Sequence, residues 1–267
     1  MKALSMKNNE GKTPLRLAVE GNHPETLKEI LILEKRTSTK WTSRESGLIH
    51  FAASKGYLEV LKELIEAGGD SEERDEHDWL PLHVAAKMNQ KEIVEYLLEK
   101  SDIDAVDDFG MTPLMSAVSH NSLDVVKLLV ERKATIWLTD NDERTLIFIG
   151  AKYNALESVQ YILQYIRELA SFNQKLGESI ASRKTLRNVD KEDEVTMVNQ
   201  TDRDQNTAMH IVASNGYLEM MRNLEDSGLL KLALTGEHRE SNSEIRDSGS
   251  GALQLLQVED SGLTKKL

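Results

Sequence analysis

The chain has 267 residues, of which 33 are Lys or Arg and 45 are Asp or Glu, so its formal net charge is −12 at pH 7. This acidic balance argues against a nucleic-acid-binding face, because such faces need clustered basic residues to contact phosphates. The sequence contains no cysteine, which excludes disulfides, thiolate metal sites and a cysteine nucleophile.

A unit of two short helices joined by a tight turn recurs along the chain. Its clearest copy begins at Thr112, which can cap the first helix, and Pro113 then occupies the first helical position. Apolar residues at helical spacing follow in both halves of the unit. Consecutive starts lie 32 to 34 residues apart, except for a last step of 62. The six starts are Thr13, Gly47, Leu80, Thr112, Thr145 and Thr207.

Two further positions repeat with the same period. The tenth residue of every copy is Gly or Asn, which predicts a left-handed residue at the end of each first helix. These residues are Asn22, Gly56, Asn89, Asn121, Asn154 and Gly216. Five residues before each start lies a short polar residue of the kind that favours a turn. These residues are Asn8, Thr42, Asp75, Asp107, Asp140 and Asp202.

The first helix of several copies begins with variants of Thr-Pro-Leu-His-x-Ala, at residues 13–18, 80–85 and 207–212. Together with the 33-residue period, this motif resembles the ankyrin-repeat family over residues 5–228. The resemblance implies an all-α ankyrin-repeat solenoid of about six helix-turn-helix repeats with β-hairpin fingers and no central sheet. In such a solenoid the fingers and inner helices form a concave binding face.

Residues 1–166 are predicted to hold repeats one to five. Repeat two begins at Gly47 and lacks the Thr and Pro of the clearest copy, so its first helix should be weakly capped. The most acidic stretch of the chain, residues 70–78, precedes repeat three. It is interpreted either as a solvated turn or as a projecting finger.

The 62-residue step is predicted to contain an insertion loop at residues 167–196. The second helix of repeat five should run long before this loop, because Val159, Ile162 and Ile166 keep helical spacing. Residues 197–228 are predicted to form repeat six, which fits either a terminal or a degraded repeat. Residues 229–267 are polar and rich in Ser and Gly, so they are predicted to be an irregular or disordered tail.

No pattern in the sequence predicts catalysis, a cofactor or a metal site. His50, His83 and His210 share one repeat position, which is typical of a histidine that bonds a turn and not of a ligand. The run from Asp202 to Asn206 resembles the start of a calcium loop but lacks the required Gly and Glu at its sixth and twelfth places. Phosphate-binding and nucleophile motifs are also absent from the sequence. We therefore expect a protein that is not an enzyme.

Aromatic residues make up only 5% of the chain, so their positions in the predicted turns are informative. They either anchor a partner or pack on the neighbouring finger. Charged residues accompany them, which is typical of a protein-binding patch, and a −12 chain should favour a partner with a basic surface. The candidate partner-binding residues are Trp41, Arg44, Glu76, His77, Trp79, Asp108, Phe109, Trp137 and Asp142.

Two functions fit these observations. The first is a non-catalytic, cytoplasmic protein–protein interaction module that binds no nucleic acid and no small-molecule substrate. The second follows from residues 146–157 and 199–207, which resemble the N-terminal ankyrin region of invertebrate transient receptor potential ankyrin-type cation channels. That resemblance implies a role in channel assembly or gating at the cytosolic face of a membrane. The chain has no run of 18 apolar residues and no apolar leader, so it is expected not to enter a membrane itself.

Overall fold

The computed structural model describes residues 2–36, 46–177 and 197–227. The chain divides into two compact units, Met1–Ile136 and Trp137–Leu267. The described residues are helical and contain no β-strand. Their helices begin at the predicted repeat starts, which confirms the all-α repeat fold.

The first unit contains four helix pairs after a short 3-10 helix at Lys2–Ser5. The first helices of the pairs contact one another in order, α1 to α3, α3 to α5 and α5 to α7. The second helices contact one another in the same way, α2 to α4 and α6 to α8. The helices are α1 Pro14–Glu20, α2 Pro24–Arg36, α3 Leu48–Lys55, α4 Leu58–Glu66, α5 Pro81–Lys87, α6 Lys91–Leu97, α7 Pro113–Ser119 and α8 Leu123–Glu131.

The second unit contains two described helix pairs. They are α9 Leu146–Lys152 and α10 Leu156–Gly177, then α11 Ala208–Asn215 and α12 Leu218–Asp226. Residues 197–199 form a short helical turn, and its Met197 and Val198 are buried. The Thr145 hydroxyl donates to the Met197 carbonyl at 2.8 Å, which ties this turn to the start of α9.

The predicted caps are present. The hydroxyls of Thr13, Thr112, Thr145 and Thr207 each accept a hydrogen bond from the backbone N–H three residues on. Gly47, which starts repeat two, makes no side-chain cap, as its sequence predicted. The six residues at the tenth position all have positive φ, from 53° to 75°. The prediction that Gly or Asn ends each first helix is therefore confirmed.

Neighbouring pairs in the first unit are also joined by side chains at their turns. The Asn89 Oδ1 accepts the backbone N–H of Val125 at 3.2 Å, so a residue of repeat three caps the second helix of repeat four. The Ser122 hydroxyl donates to the Lys87 carbonyl at 2.9 Å. At Gly56 the Gln90 side chain packs close to the glycine, because a Cβ built there would lie 2.2 Å from the Gln90 Oε1. These contacts fix the spacing of the pairs.

The predicted insertion loop differs from the structure in its first part. Residues 167–177 continue α10, which is 22 residues long, so the insertion begins as helix and not as loop. The reason is that apolar residues keep helical spacing beyond Ile166, for example at Leu169. The remaining insertion residues, 178–196, and the predicted tail, 229–267, lie outside the described residues.

Candidate partner-binding surface on the finger turns

Five described turns that precede the first helices share one local structure, and we call them fingers 1, 3, 4, 5 and 6 after the repeat that each precedes. Each begins with Asn or Asp, whose Oδ1 accepts the backbone N–H groups two and four residues on, at 2.8 to 3.0 Å. A backbone bond from the first to the fifth residue closes each finger. The fingers are residues 8–12, 75–79, 107–111, 140–144 and 202–206.

The sequence pattern did not predict a second shared feature of the fingers, a left-handed residue at their fourth position. The fourth residue of each finger has positive φ, between 61° and 76°. Glycine occupies this position in fingers 1 and 4, where the conformation is expected. Asp78, Glu143 and Gln205 occupy it in the others, and the long side chains of Glu143 and Gln205 gave no signal for a left-handed residue. This backbone holds the second and third residues of each finger at its tip.

Histidines at the shared repeat position form hydrogen bonds with backbone groups of the turns, as the sequence predicted. The Nδ1 of buried His83 accepts the backbone N–H of Leu80 at 3.2 Å. Its Nε2 lies 3.1 Å from the Ala105 carbonyl and 3.0 Å from the Met111 carbonyl, so it donates to the last residue of finger 4 and to a residue two positions before the finger. Burial lowers the pKa of His83, and Asp107 opposes that shift. A neutral ring with hydrogen on Nε2 satisfies all these contacts.

His50 and His210 occupy the same repeat position as His83. The Nε2 of His50 lies 2.8 Å from the Trp79 carbonyl at the end of finger 3. The Nδ1 of His210 accepts the backbone N–H of Thr207 at 3.1 Å. The interpretation of these histidines as turn-bonding residues is therefore confirmed.

The predicted contact residues fall into different environments. At the tips of fingers 3 and 4, Glu76, His77 and Asp108 are exposed, and the Phe109 side chain is 53% exposed. Trp79 is half-buried, with the Lys87 Nζ 4.3 Å from its ring centroid. Trp137, in the second unit, is also half-buried. Trp41 and Arg44 lie outside the described residues.

Finger 5 neutralises its own acidic residues. The Arg144 Nε bonds the Asp140 Oδ2 at 2.6 Å, and the Arg144 Nη1 lies 3.3 Å from the Asp142 Oδ2. The Asp140 side chain is fully buried. The Arg203 Nη1 also approaches the Asp142 carboxylate, at 4.0 Å. Asp142 is therefore part of a network of charges within the second unit.

Fingers 3 and 4 lie in segments of the chain that are rich in acidic residues. Residues 70–79 contain six acidic residues and one arginine, and residues 101–111 contain four aspartates and no Lys or Arg. The single Arg74 pairs with the Asp78 carboxylate and also donates to the Val106 carbonyl at 2.9 Å. It thereby joins finger 3 to the residue that precedes finger 4. These two segments together contain ten acidic residues and one arginine, and one of the ten, Asp107, is buried.

The aspartate that begins finger 4 differs from its equivalent in finger 5. The Asp107 Oδ2 is buried and has no hydrogen-bond partner among the described residues, whereas the Asp140 Oδ2 is bonded to Arg144. The cause is the last residue of the finger, which is Met111 in one and Arg144 in the other. The same turn is thus built with and without an internal counter-charge.

The run from Asp202 to Asn206, which resembles the start of a calcium loop, forms finger 6. The Asp202 Oδ1 accepts the backbone N–H groups of Asp204 and Asn206 at 3.0 and 2.8 Å. This carboxylate therefore builds finger 6. In the part of the chain that the structure describes, no group of three or more His, Cys, Asp or Glu residues is placed to hold a metal ion. Within the same residues, none of the helices combines the length and apolar character needed to cross a membrane.

Comparisons with known proteins agree with this repeat structure. The family model described as "Ankyrin repeats (many copies)" matches residues 49–98 and 82–130. A serine/threonine-protein kinase 12 of Arabidopsis thaliana is 41% identical over 80 residues, which cover 30% of this chain and 17% of that protein. Similarity to these repeats therefore extends to proteins named as enzymes.

A longer match reaches cation channels. The transient receptor potential cation channel subfamily A member 1 homolog of Caenorhabditis elegans is 58% identical over 230 residues, which cover 85% of this chain and 19% of that protein. The human member 1 of the subfamily is 30% identical over 128 residues, which cover 47% of this chain and 11% of that protein. This chain thus spans less than a fifth of either channel relative. The repeat starts, caps and fingers, together with the family match over residues 49–98 and 82–130, show that the chain contains ankyrin repeats.

Proposed function

We propose that this chain is a non-catalytic, cytoplasmic protein–protein interaction module that binds a partner with a basic surface through its fingers and inner helices. The observation that carries the proposal is the exposed Phe109 ring in a finger whose acidic residues have no Lys or Arg within residues 101–111. Exposed aromatic side chains are typical of binding hot spots, and acidic residues around them favour a partner with a basic surface. No nucleic acid, cofactor or small-molecule substrate is part of this proposal.

The proposed contact residues in the described part of the chain differ in the surface and the charge that they can offer to a partner. Glu76, His77, Asp108 and Phe109 lie at finger tips and can meet a partner directly. Trp79 and Trp137 are half-buried, so they can contribute only part of their surface. Asp142 is engaged with Arg144 and Arg203, which reduces the charge that it offers.

A photocrosslinking experiment tests the proposal. We would place p-benzoylphenylalanine at Phe109 and, as a matched control, at exposed Glu131 near the end of α8. We expect discrete protein adducts in a cell extract only from the finger position, because the fingers and not the second helices are proposed to contact the partner. Adducts of equal number and intensity from both positions, or none from Phe109, would contradict the proposed face.

A second candidate function is favoured by the 58% identity to the Caenorhabditis elegans channel homolog. In this case the chain is the cytosolic ankyrin region of a transient receptor potential ankyrin-type cation channel and contributes to channel assembly or gating. The test replaces the 230 matching residues of that homolog with those of this chain. We expect the chimera to conduct cations. Normal surface expression without current would contradict this candidate.

A further inference from the structure

The first helices of repeats two to four differ in charge from the rest of this acidic chain. These helices, α3, α5 and α7, contain no Asp or Glu, and their only Lys or Arg residues are Lys55 and Lys87. The second helices of the same repeats, α4, α6 and α8, contain seven acidic residues and three lysines. Because α3 contacts α5 and α5 contacts α7, the first helices form one layer whose charge is locally positive. We call it the first-helix layer.

Each lysine of the first-helix layer lies beside an aromatic ring of its own repeat. The Lys55 Nζ is 5.9 Å from the centroid of the Phe51 ring, and the Lys87 Nζ is 4.3 Å from the centroid of the Trp79 ring. Neither lysine forms an ion pair with a carboxylate of the described residues. A ring attracts an ammonium group but leaves its charge uncompensated. A carboxylate from outside can therefore pair with either lysine without displacing an internal ion pair.

Apolar side chains lie next to these lysines. Met88 follows Lys87 directly, and its side chain is 46% exposed. It occupies the ninth position of repeat three, which is the position of Lys55 in repeat two. Phe51 and Val84, both at the fifth position of their repeats, are half-buried one turn earlier. Because a flexible methionine adapts to side chains of different shape, the layer can accept an apolar residue beside its cations.

We infer that the first-helix layer of repeats two to four binds an acidic segment of a partner protein that also carries apolar side chains. Its carboxylates pair with Lys55 and Lys87, and an apolar side chain packs on Met88. This inference rests on the proposed protein-binding function and adds the chemistry of one part of the partner. The partner's basic surface meets the fingers, and its acidic segment meets the first helices.

Two labelled nonapeptides test the inference on the full chain. One contains three glutamates and three leucines among serines, and the other has serine in place of each leucine. Fluorescence anisotropy gives their Kd values at about 100 mM salt, where charges more than about 10 Å away are largely screened. We expect the peptide with leucine to bind about threefold tighter than the peptide without it.

Charge variants locate the site. The double variant Lys55→Gln, Lys87→Gln should weaken both peptides about tenfold with unchanged circular dichroism. The matched control is Lys62→Gln, Lys100→Gln, which removes the same charge from two lysines that lie 6.0 and 5.2 Å from the ring centroid of Tyr96 in α6. It should change each Kd less than about twofold. No loss in the first double variant, or an equal loss in the control, would overturn the inference.

A charge-conserving variant separates a binding defect from a folding defect. Lys55→Arg, Lys87→Arg keeps both cations and should bind both peptides within about twofold of the parent chain. A tenfold loss in this variant would show that the positive charge of the layer does not attract the peptides, and would overturn the inference.

The apolar contact has its own variant. Met88→Gln keeps the length of the side chain but makes it polar, so the preference for the peptide with leucine should disappear. Equal binding of the two peptides to the parent chain, or an unchanged preference in Met88→Gln, would show that the acidic segment needs no apolar residue there and would overturn the inference.

The outcome also separates this inference from the function on which it rests. If adducts form at Phe109 but peptide binding does not depend on Lys55 and Lys87, the acidic segment is wrong and the protein-binding function stands. If the peptides bind as expected but no adduct forms at Phe109, the first-helix site stands and the finger contact is wrong.

Discussion

Fingers 4 and 5 have the same backbone conformation but differ in two respects, the residue at the left-handed position and the partner of the buried aspartate. Finger 4 has Gly110 at its left-handed position and leaves the Asp107 Oδ2 without a partner among the described residues. Finger 5 has Glu143 at the left-handed position and bonds the Asp140 Oδ2 to Arg144. The comparison teaches that the turn is specified by its first residue, while its charge and strain are set by the last two. A repeat can therefore keep its fold and change the surface that it presents.

Removing the counter-charge of finger 5 should have the largest effect. Arg144→Met converts its last residue to that of finger 4 and leaves the fully buried Asp140 without its cation. We expect the free energy of unfolding to fall by about 3 kcal/mol, because breaking one side of a buried ion pair strands a charge. Urea denaturation measures the loss. Asp142→Asn, at a half-exposed carboxylate, is the control and should cost less than about 0.5 kcal/mol.

The support of finger 4 should make stability depend on pH. Burial lowers the pKa of His83 below its usual 6.5, so between those two values the unfolded chain binds a proton that the folded chain does not. Stability therefore rises with pH across this window and is fully present above it. The slope attributable to His83 should approach about 1.4 kcal/mol per pH unit at most.

The control for this prediction is His83→Gln, which lacks a titrating ring. Unfolding measured from pH 7.5 to 5 should show a shallower slope in the variant. His120, whose pKa is lowered by burial and then by Lys87, remains in both chains and contributes in the same direction. Identical slopes in the two chains would mean that His83 is not the group responsible.

Supplying finger 4 with the missing counter-charge is the reciprocal experiment. Met111→Arg places a guanidinium at the position that Arg144 holds in finger 5, within reach of the Asp107 Oδ2. We expect a gain of about 1 kcal/mol in the free energy of unfolding. Met111→Leu, which has no charge, should be close to neutral. A gain in Met111→Leu equal to that in Met111→Arg would show that packing and not charge was limiting.

Many features of the fingers and helices could be predicted from the sequence, because they depend on residues that are close together in the chain. Thr112, Asn121 and Asp107 act on backbone groups within five residues, so their caps, stops and turns follow from residue type and spacing. The burial of Trp79 was not accessible, because Lys87 and finger 3 meet only in the folded repeat. The helical start of the insertion was only partly predicted, because apolar spacing showed that α10 runs long but not where it ends.

The charge balance of the fingers could be predicted from the sequence only in part. The spacing of Asp140 and Arg144 is visible in the sequence, but the burial that makes their pair strong depends on tertiary packing. The hydrogen bond from Arg74 to the Val106 carbonyl, just before finger 4, likewise joins residues 32 positions apart. For this reason the candidate residues in the predicted turns could not be ranked from the sequence, whereas the structure shows that Arg144 pairs with the acidic residues of finger 5 and that Met111 stands at the same place in finger 4.

The backbone difference between fingers 4 and 5 should have the smallest effect. Glu143 has a φ of 65°, where a Cβ crowds the following carbonyl, and Gly110 has a φ of 74° in the same place without that cost. Glu143→Gly should therefore stabilise the chain, but only by about 0.5 kcal/mol, because glycine also gains freedom in the unfolded state.

The reciprocal change in finger 4 separates backbone strain from charge. Gly110→Asn should cost less than Gly110→Glu, because Asn tolerates the left-handed region better than Glu. Glu143→Gln retains the strain while removing the charge, so its stability should match that of the parent chain. If Glu143→Gln gains as much as Glu143→Gly, the effect of this position is electrostatic, and the two fingers differ by charge alone.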